Sequence, residues 1–184
     1  MAEKVIDTGI EGLRIKLNKI VPDERGALCE MAPGGFVHEF FRDGVRNMYS
    51  SIATGKHVAR AGHWHHKNVE NFFTLTGTAL WAFKDMREDS KTAGKTFAVV
   101  LGFDDIGTVD GVDSHTIDKS EFAQFVVPTG VYHIYWPLTE KQVTAVAVAS
   151  QPYKCADYEY VDWNTIPEMR KLARVFGIPV GDVE

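Results

Sequence analysis

Residues 62–77 read Gly-His-Trp-His-His-Lys-Asn-Val-Glu-Asn-Phe-Phe-Thr-Leu-Thr-Gly and carry three of the chain's 7 histidines. On extended backbone, residues two apart share a face. His63 and His65 therefore point one way, and Trp64 and His66 the other. Glu70 follows five residues after His65, far enough for a turn and the start of a strand that returns a carboxylate beside the two imidazoles. A third imidazole is available at His133, just after the turn signal Pro128-Thr-Gly130. Three imidazoles and a carboxylate suit one borderline divalent cation, whether Fe, Mn, Co, Ni or Zn. Four protein ligands on a six-coordinate ion leave positions open for water or substrate, as a catalytic site requires. A surface histidine cluster is the alternative that the His-x-His pair alone leaves open.

Outward from this stretch the texture is that of short strands separated by turns. Strands are expected over 12–20, 27–31, 35–41, 47–53, 61–66, 69–76, 79–83, 96–103, 122–127, 131–136 and 142–149. Residues 21–26 read as a turn, and Gly77 as the turn of a hairpin joining 69–76 to 79–83. Residues 104–113, rich in Gly and Asp, read as a solvent loop. One helix is expected, over 165–177, with Thr165 and Glu168 as a capping box. Ile166, Met169, Leu172, Ala173 and Phe176 form its apolar stripe, and Gly177 and Pro179 stop it. Many strands and one terminal helix give an all-β sandwich or small barrel, a fold that can hold a small molecule in its mouth.

The 184 residues suit a single domain. With 45% hydrophobic and 24% charged residues the chain is neither disordered nor a coiled coil. A formal net charge of -5 gives no basic footprint for nucleic acid. The βαβ alternation and glycine-rich phosphate loop of nucleotide-binding sheets are absent. Cys29 and Cys155 make no disulfide framework and read as reduced thiols. No signal peptide or membrane-spanning run is visible, so the expected location is the cytoplasm.

His63-x-His65, four residues, Glu70, six residues and Gly77 resemble the first cupin motif. Pro128-Thr-Gly130-Val-Tyr-His133 resembles the second, with Pro137 in place of its common final asparagine. The resemblance implies a cupin double-stranded β-helix, or jelly-roll barrel, with one divalent transition metal ion held inside by His63, His65, Glu70 and His133. A further resemblance, to the dTDP-4-dehydrorhamnose 3,5-epimerases, spans about 140 residues. It rests on Asp23-Glu-Arg-Gly26 with Glu30, on residues 47–65, on Asp85-Met-Arg87, on Tyr153-Lys-Cys-Ala-Asp157-Tyr, and on Trp163-Asn164. That family implies a homodimer exchanging N-terminal strands, here within residues 1–46. It also implies a nucleotide-sugar substrate and proton transfer beside a ketone.

The chain departs from that family at two positions. His65 stands where the family usually has glutamine, and Glu70 where it has a catalytic lysine; the position matching His63 is its general base. A metal-type carboxylate thus replaces a cation. The expected function is a metal-dependent epimerase or isomerase of a small carbonyl or hydroxylated substrate, such as a sugar or nucleotide sugar. An Fe(II)-dependent cupin dioxygenase and a non-catalytic ligand-binding cupin are the alternatives. With all three histidines serving as ligands, Tyr135, which shares strand parity with His133, is the expected acid or base. Asp157 is expected beside a ligand histidine. Arg25 and Arg60 are the expected anchors of an anionic substrate.

Overall fold

A computed structural model describes residues 4–31, 41, 43–116 and 121–182. The first strands are β1 (Lys4–Ile6), β2 (Arg14–Asp23), β3 (Gly26–Cys29), β4 (Asn47–Ala53), β5 (Arg60–His65), β6 (Glu70–Thr76) and β7 (Thr78–Asp85). There follow β8 (Thr96–Gly102), β9 (Asp113–Thr116), β10 (Glu121–Val127), β11 (Val131–Pro137), β12 (Val143–Ala149), β13 (Tyr158–Tyr160) and the helix α1 (Pro167–Val175). One sheet runs β1-β2-β10-β6-β12-β4, with β3 added to β2, and the other β13-β5-β11-β7-β8-β9. Pairing is antiparallel except between β8 and β9.

From β4 to β7, and again from β10 to β13, the chain changes sheet at every connection. That alternation makes the double-stranded β-helix expected from the sequence. It also corrects the hairpin expected at Gly77. β6 lies between β10 and β12, whereas β7 lies between β11 and β8. Gly77 is therefore a corner between sheets. Its φ is +76°, and a Cβ there would stand 2.5 Å from the Gln142 carbonyl oxygen, so only glycine fits. The turn at 21–26 is the tip of the β2–β3 hairpin, where Asp23 pairs with Gly26. Of the strand expected over 35–41, residues 35–40 lie outside the described residues.

The main core fills the space between the sheets and includes Ile15, Leu17, Phe72, Trp81, Phe83, Phe125 and Tyr135. A second cluster lies on the outer face of β7, β8 and β11, where Leu80, Val100, Ile134 and Trp136 meet Met169 and Ala173 of α1. β11 is consequently buried along its whole length, which explains why its residues other than His133 are apolar or aromatic. α1 is shorter than expected, and no capping box forms. Its N-cap is Ile166, while Thr165 belongs to a preceding 3₁₀ turn and its hydroxyl donates to the Asp162 carbonyl at 2.7 Å. At the other end Ile178 N–H donates to Ala173 O and Gly177 N–H to Arg174 O, the paired bonds of a Schellman stop. Among the described residues no helix is long and apolar enough to cross a membrane.

Candidate metal centre and its cavity

The fold brings the two sequence motifs into direct register. His63 on β5 pairs with His133 on β11, and β13 flanks β5 on the other side with Tyr160 opposite His63 and Tyr158 opposite His65. Gly62 has no partner in the β5–β11 ladder, where His63 pairs with His133 and Ala61 with Ile134. This bulge places both Ala61 and Gly62 at positive φ, 67° and 81°, and bulges characteristically re-aim the next side chain. Glu70 opens β6 in the facing sheet, between Val127 and Ala149. Two strands of one sheet and the first residue of a strand in the other thus converge between the layers.

His63, His65, Glu70 and His133 are all buried, and each offers a ligand atom within 4.8 Å of the others. Their arrangement is unusual for a metal-free hydrogen-bond network. Glu70 Oε2 lies 3.1 Å from His65 Nε2 and 3.3 Å from His133 Nε2. Yet neither contact is aligned as a hydrogen bond, and both ring nitrogens of His63 also lack a partner. His133 Nδ1 lies 3.3 Å from the Val131 carbonyl. A carbonyl only accepts, so Nδ1 carries a proton there, and Nε2 is the nitrogen left to face Glu70 and to offer a lone pair to a cation. Asp157 lies beside His65, its Oδ2 3.3 Å from Nδ1 though not aligned as a hydrogen bond, and the carboxylate is held by the Lys67 and Asn68 backbone N–H groups at 2.7 and 3.2 Å. Ring nitrogens and a carboxylate oxygen that converge at this range without hydrogen-bond alignment can share one cation. Two ligands at right angles on one ion, each about 2.1 Å from it, stand about 3.0 Å apart. The donor set therefore fits a divalent cation.

The local electrostatics agree. Burial alone raises the Glu70 carboxyl, but the His133 and His65 imidazoles beside it outweigh burial and hold it well below the usual carboxylate range. Burial, then the neighbouring His133 and His65 rings, push His63 down to about 3. The site thus presents a neutral His63 imidazole beside a carboxylate anion.

A cavity of about 360 Å³ opens onto His63 and His133. Arg60 and Tyr135 both line it. The Tyr135 hydroxyl is 2.9 Å from Ser51 Oγ, and burial raises its pKa above the usual phenol value. The structure does not bring Arg25 to the cavity. It sits at the exposed hairpin tip, paired with Asp23 at 2.6 Å. Turn chemistry explains this, since Asp23 also accepts the Arg25 backbone N–H. His66 is exposed as parity predicts, and Trp81 and Phe83 belong to the core.

Sequence reasoning missed Tyr49, Asn68, Tyr158 and Tyr160 as parts of the site. The Tyr49 hydroxyl donates to Glu70 Oε1 at 2.5 Å, and Asn68 Nδ2 donates to the same oxygen at 3.2 Å. Tyr158 and Tyr160 stack at 5.8 Å between centroids and stand 4.8 and 5.3 Å from the His63 ring. Alternation along 47–53 does put Tyr49 and Ser51 on one face, but nothing local says that this face meets Glu70.

Fold and site together define a double-stranded β-helix of the type adopted by the dTDP-4-dehydrorhamnose 3,5-epimerases. The enzyme of that name from Elizabethkingia anophelis NUHP1 superposes with a TM-score of 0.67 at 21% identity, over 89% of this chain and 82% of that one. The dTDP-6-deoxy-D-glucose-3,5-epimerase RmlC from Legionella pneumophila, solved with dTDP-4-keto-L-rhamnose, gives 0.68 at 21% identity, over 98% of this chain and 86% of that one. In sequence, the chain is 26% identical over 159 residues to the spore coat polysaccharide biosynthesis protein SpsL of Bacillus subtilis, covering 84% of this chain and 91% of the relative. No family model matches the chain.

Proposed function

We propose that the chain is an epimerase or isomerase acting beside the carbonyl of a sugar or nucleotide sugar, with a divalent transition metal ion held by His63, His65, Glu70 and His133. The observation that carries the metal reading is the convergence of buried donor atoms without hydrogen-bond partners. The sugar reading is supported by the fold shared with the epimerases and by the polysaccharide-biosynthesis relative. When bound, such an ion supplies Lewis-acid stabilisation of the oxyanion that forms as a proton leaves the neighbouring carbon.

The chain's own residues supply the rest. Tyr135, oriented by Ser51, holds or accepts a proton at its phenol oxygen in the cavity wall. Arg60 at the mouth suits a phosphate or carboxylate of the substrate. Tyr158 and Tyr160 offer flat faces to the C–H side of a sugar ring or to a base. Asp157, 3.3 Å from His65 Nδ1, is placed to orient that ring when the ion is bound. A cytoplasmic homodimer is part of the same proposal, with exposed Val21 and Leu28 of the hairpin and Met48 of edge strand β4 as apolar surface for a second copy.

Hydrogen–deuterium exchange in D2O tests the reading. With a dTDP-4-keto-6-deoxy sugar, proton NMR is expected to show exchange beside the carbonyl with metal-loaded protein. Exchange stops on chelation and returns when metal is restored. Exchange unaffected by complete metal removal would contradict metal dependence. Oxygen consumption with Fe(II) and without exchange would favour the dioxygenase.

A further inference from the structure

Glu70 faces the three histidines through one oxygen only. Its Oε1 accepts from Tyr49 at 2.5 Å and from Asn68 at 3.2 Å, while Oε2, aimed at His65 and His133, accepts no hydrogen bond. The donors come from different places. Tyr49 sits on β4, in register with Ala147 of β12, which in turn pairs with Phe72 of β6. Asn68 lies in the connection before β6, and its amide is locked the right way round. Its Oδ1 accepts from the Ser150 hydroxyl at 3.2 Å and from Gln151 N–H at 3.1 Å. A backbone N–H only donates, so Nδ2 must face Glu70. The Asn68 amide is thus fixed independently of Glu70, and strand register fixes the backbone from which Tyr49 reaches it.

We infer that Tyr49 and Asn68 are positioning residues that confine Glu70 to one-oxygen ligation, and so determine how many positions on the ion remain for substrate. The inference rests on the metal-binding reading of the same site. A carboxylate offers each oxygen about two lone-pair directions. Two donors on Oε1 occupy them, so that oxygen has nothing left to give the ion, while Oε2 keeps both. Without these donors the carboxylate is free to rotate and bind through both oxygens, closing a position otherwise open. Tyr49 also lines the cavity, so its ring orders the carboxylate from the side a substrate enters.

The test is Co(II) titration of the stripped full-length chain, read by visible absorption, in wild type and in Tyr49→Phe. Wild type is expected to bind one Co(II). Tyr49→Phe is expected to bind it about tenfold to a hundredfold more weakly, with a d–d spectrum of changed shape and lower intensity as the second Glu70 oxygen joins the ion. A purely structural role lowers the thermal midpoint of the metal-free protein and leaves the spectrum as in wild type. Should Tyr49→Phe fail to fold, Asn68→Ala gives the same readout, because it removes the other donor to Oε1 without placing a second charge beside Glu70. Folded variants with wild-type affinity and spectrum would overturn the inference while leaving the metal site standing. Wild type that binds no Co(II) would overturn the metal reading, and this inference with it.

Discussion

Replacing Glu70 by glutamine keeps the side chain's size and removes the only anionic ligand of the proposed set. The structure predicts how the amide will sit. Asn68 Nδ2 can only donate, and it bonds the oxygen now at Oε1. The glutamine carbonyl takes that place, and its NH2 group turns toward His65 and His133 where Oε2 was. A ligand has then become two N–H donors aimed at the ion. Loss of orienting partners alone costs 10–100-fold in metal affinity, so loss of the ligand is expected to cost at least about 100-fold. At a metal concentration about 1,000 times the wild-type Kd, binding stabilises wild type by about 4.1 kcal/mol. At the same concentration a variant 100-fold weaker gains about 1.4 kcal/mol. The difference of about 2.7 kcal/mol corresponds to about 5–11 °C in thermal midpoint for a chain of this size. Thermal denaturation with and without Zn(II) or Mn(II) measures it, each protein against its own metal-free state. Equal metal-induced shifts in wild type and Glu70→Gln would refute the assignment of Glu70 as a ligand.

Other predictions concern the scaffold. Ala61→Val should destabilise the protein by about 1–2 kcal/mol, because a β-branched side chain is forced into positive φ; urea denaturation giving an unchanged midpoint would contradict the bulge. Asp85, buried at the end of β7, accepts from Arg87, Ser90 and Thr92, two of these bonds being 2.6 Å, and its removal as Asp85→Ala should cost about 3 kcal/mol. Burial raises the Asp85 pKa, but the Arg87, Ser90 and Thr92 partners lower it more, so the group stays ionised below the usual carboxylate range. Its contribution is therefore fully present above the unfolded value near pH 4 and is lost as pH falls through the lower folded value, and acid titration of stability in wild type and Asp85→Asn should converge only at low pH. Sedimentation equilibrium should show a homodimer weakened by Leu28→Lys or Met48→Lys, both residues being about 70% exposed in the isolated chain; a monomer at all micromolar concentrations would contradict it.

The convergence of His63, His65, Glu70 and His133 was legible because the two stretches that carry them are local. His63, His65 and Glu70 lie within eight positions, strand parity fixes which side chains share a face, and His133 is marked by its Pro-x-Gly turn. Most strands were legible for the same reason, with β4 found at its expected bounds. What failed was non-local. A glycine between two apolar runs has the same local signature whether it turns a hairpin or a corner between sheets, and only the pairing of β6 with β10 and β12 decides between them. Tyr49 reaches Glu70 across β12, and no spacing rule encodes that path. Thr165 and Glu168 matched a capping pattern, but the 3₁₀ turn before α1 drew the Thr165 hydroxyl to Asp162 instead. Arg25 carries a motif-like context, yet it pairs with Asp23 in its own turn.

The proposed centre holds one ion among three imidazoles and a single carboxylate oxygen. Anomalous diffraction at the metal edge, from crystals of protein purified without a metal-binding tag, tests it most directly. The account predicts one strong peak between the sheets, at about 2.0–2.2 Å from Nε2 of His65 and His133, a ring nitrogen of His63 and Glu70 Oε2, with Glu70 Oε1 still on Tyr49. Well-ordered side chains with no peak among them after metal soaking, or a peak bound elsewhere, would contradict it.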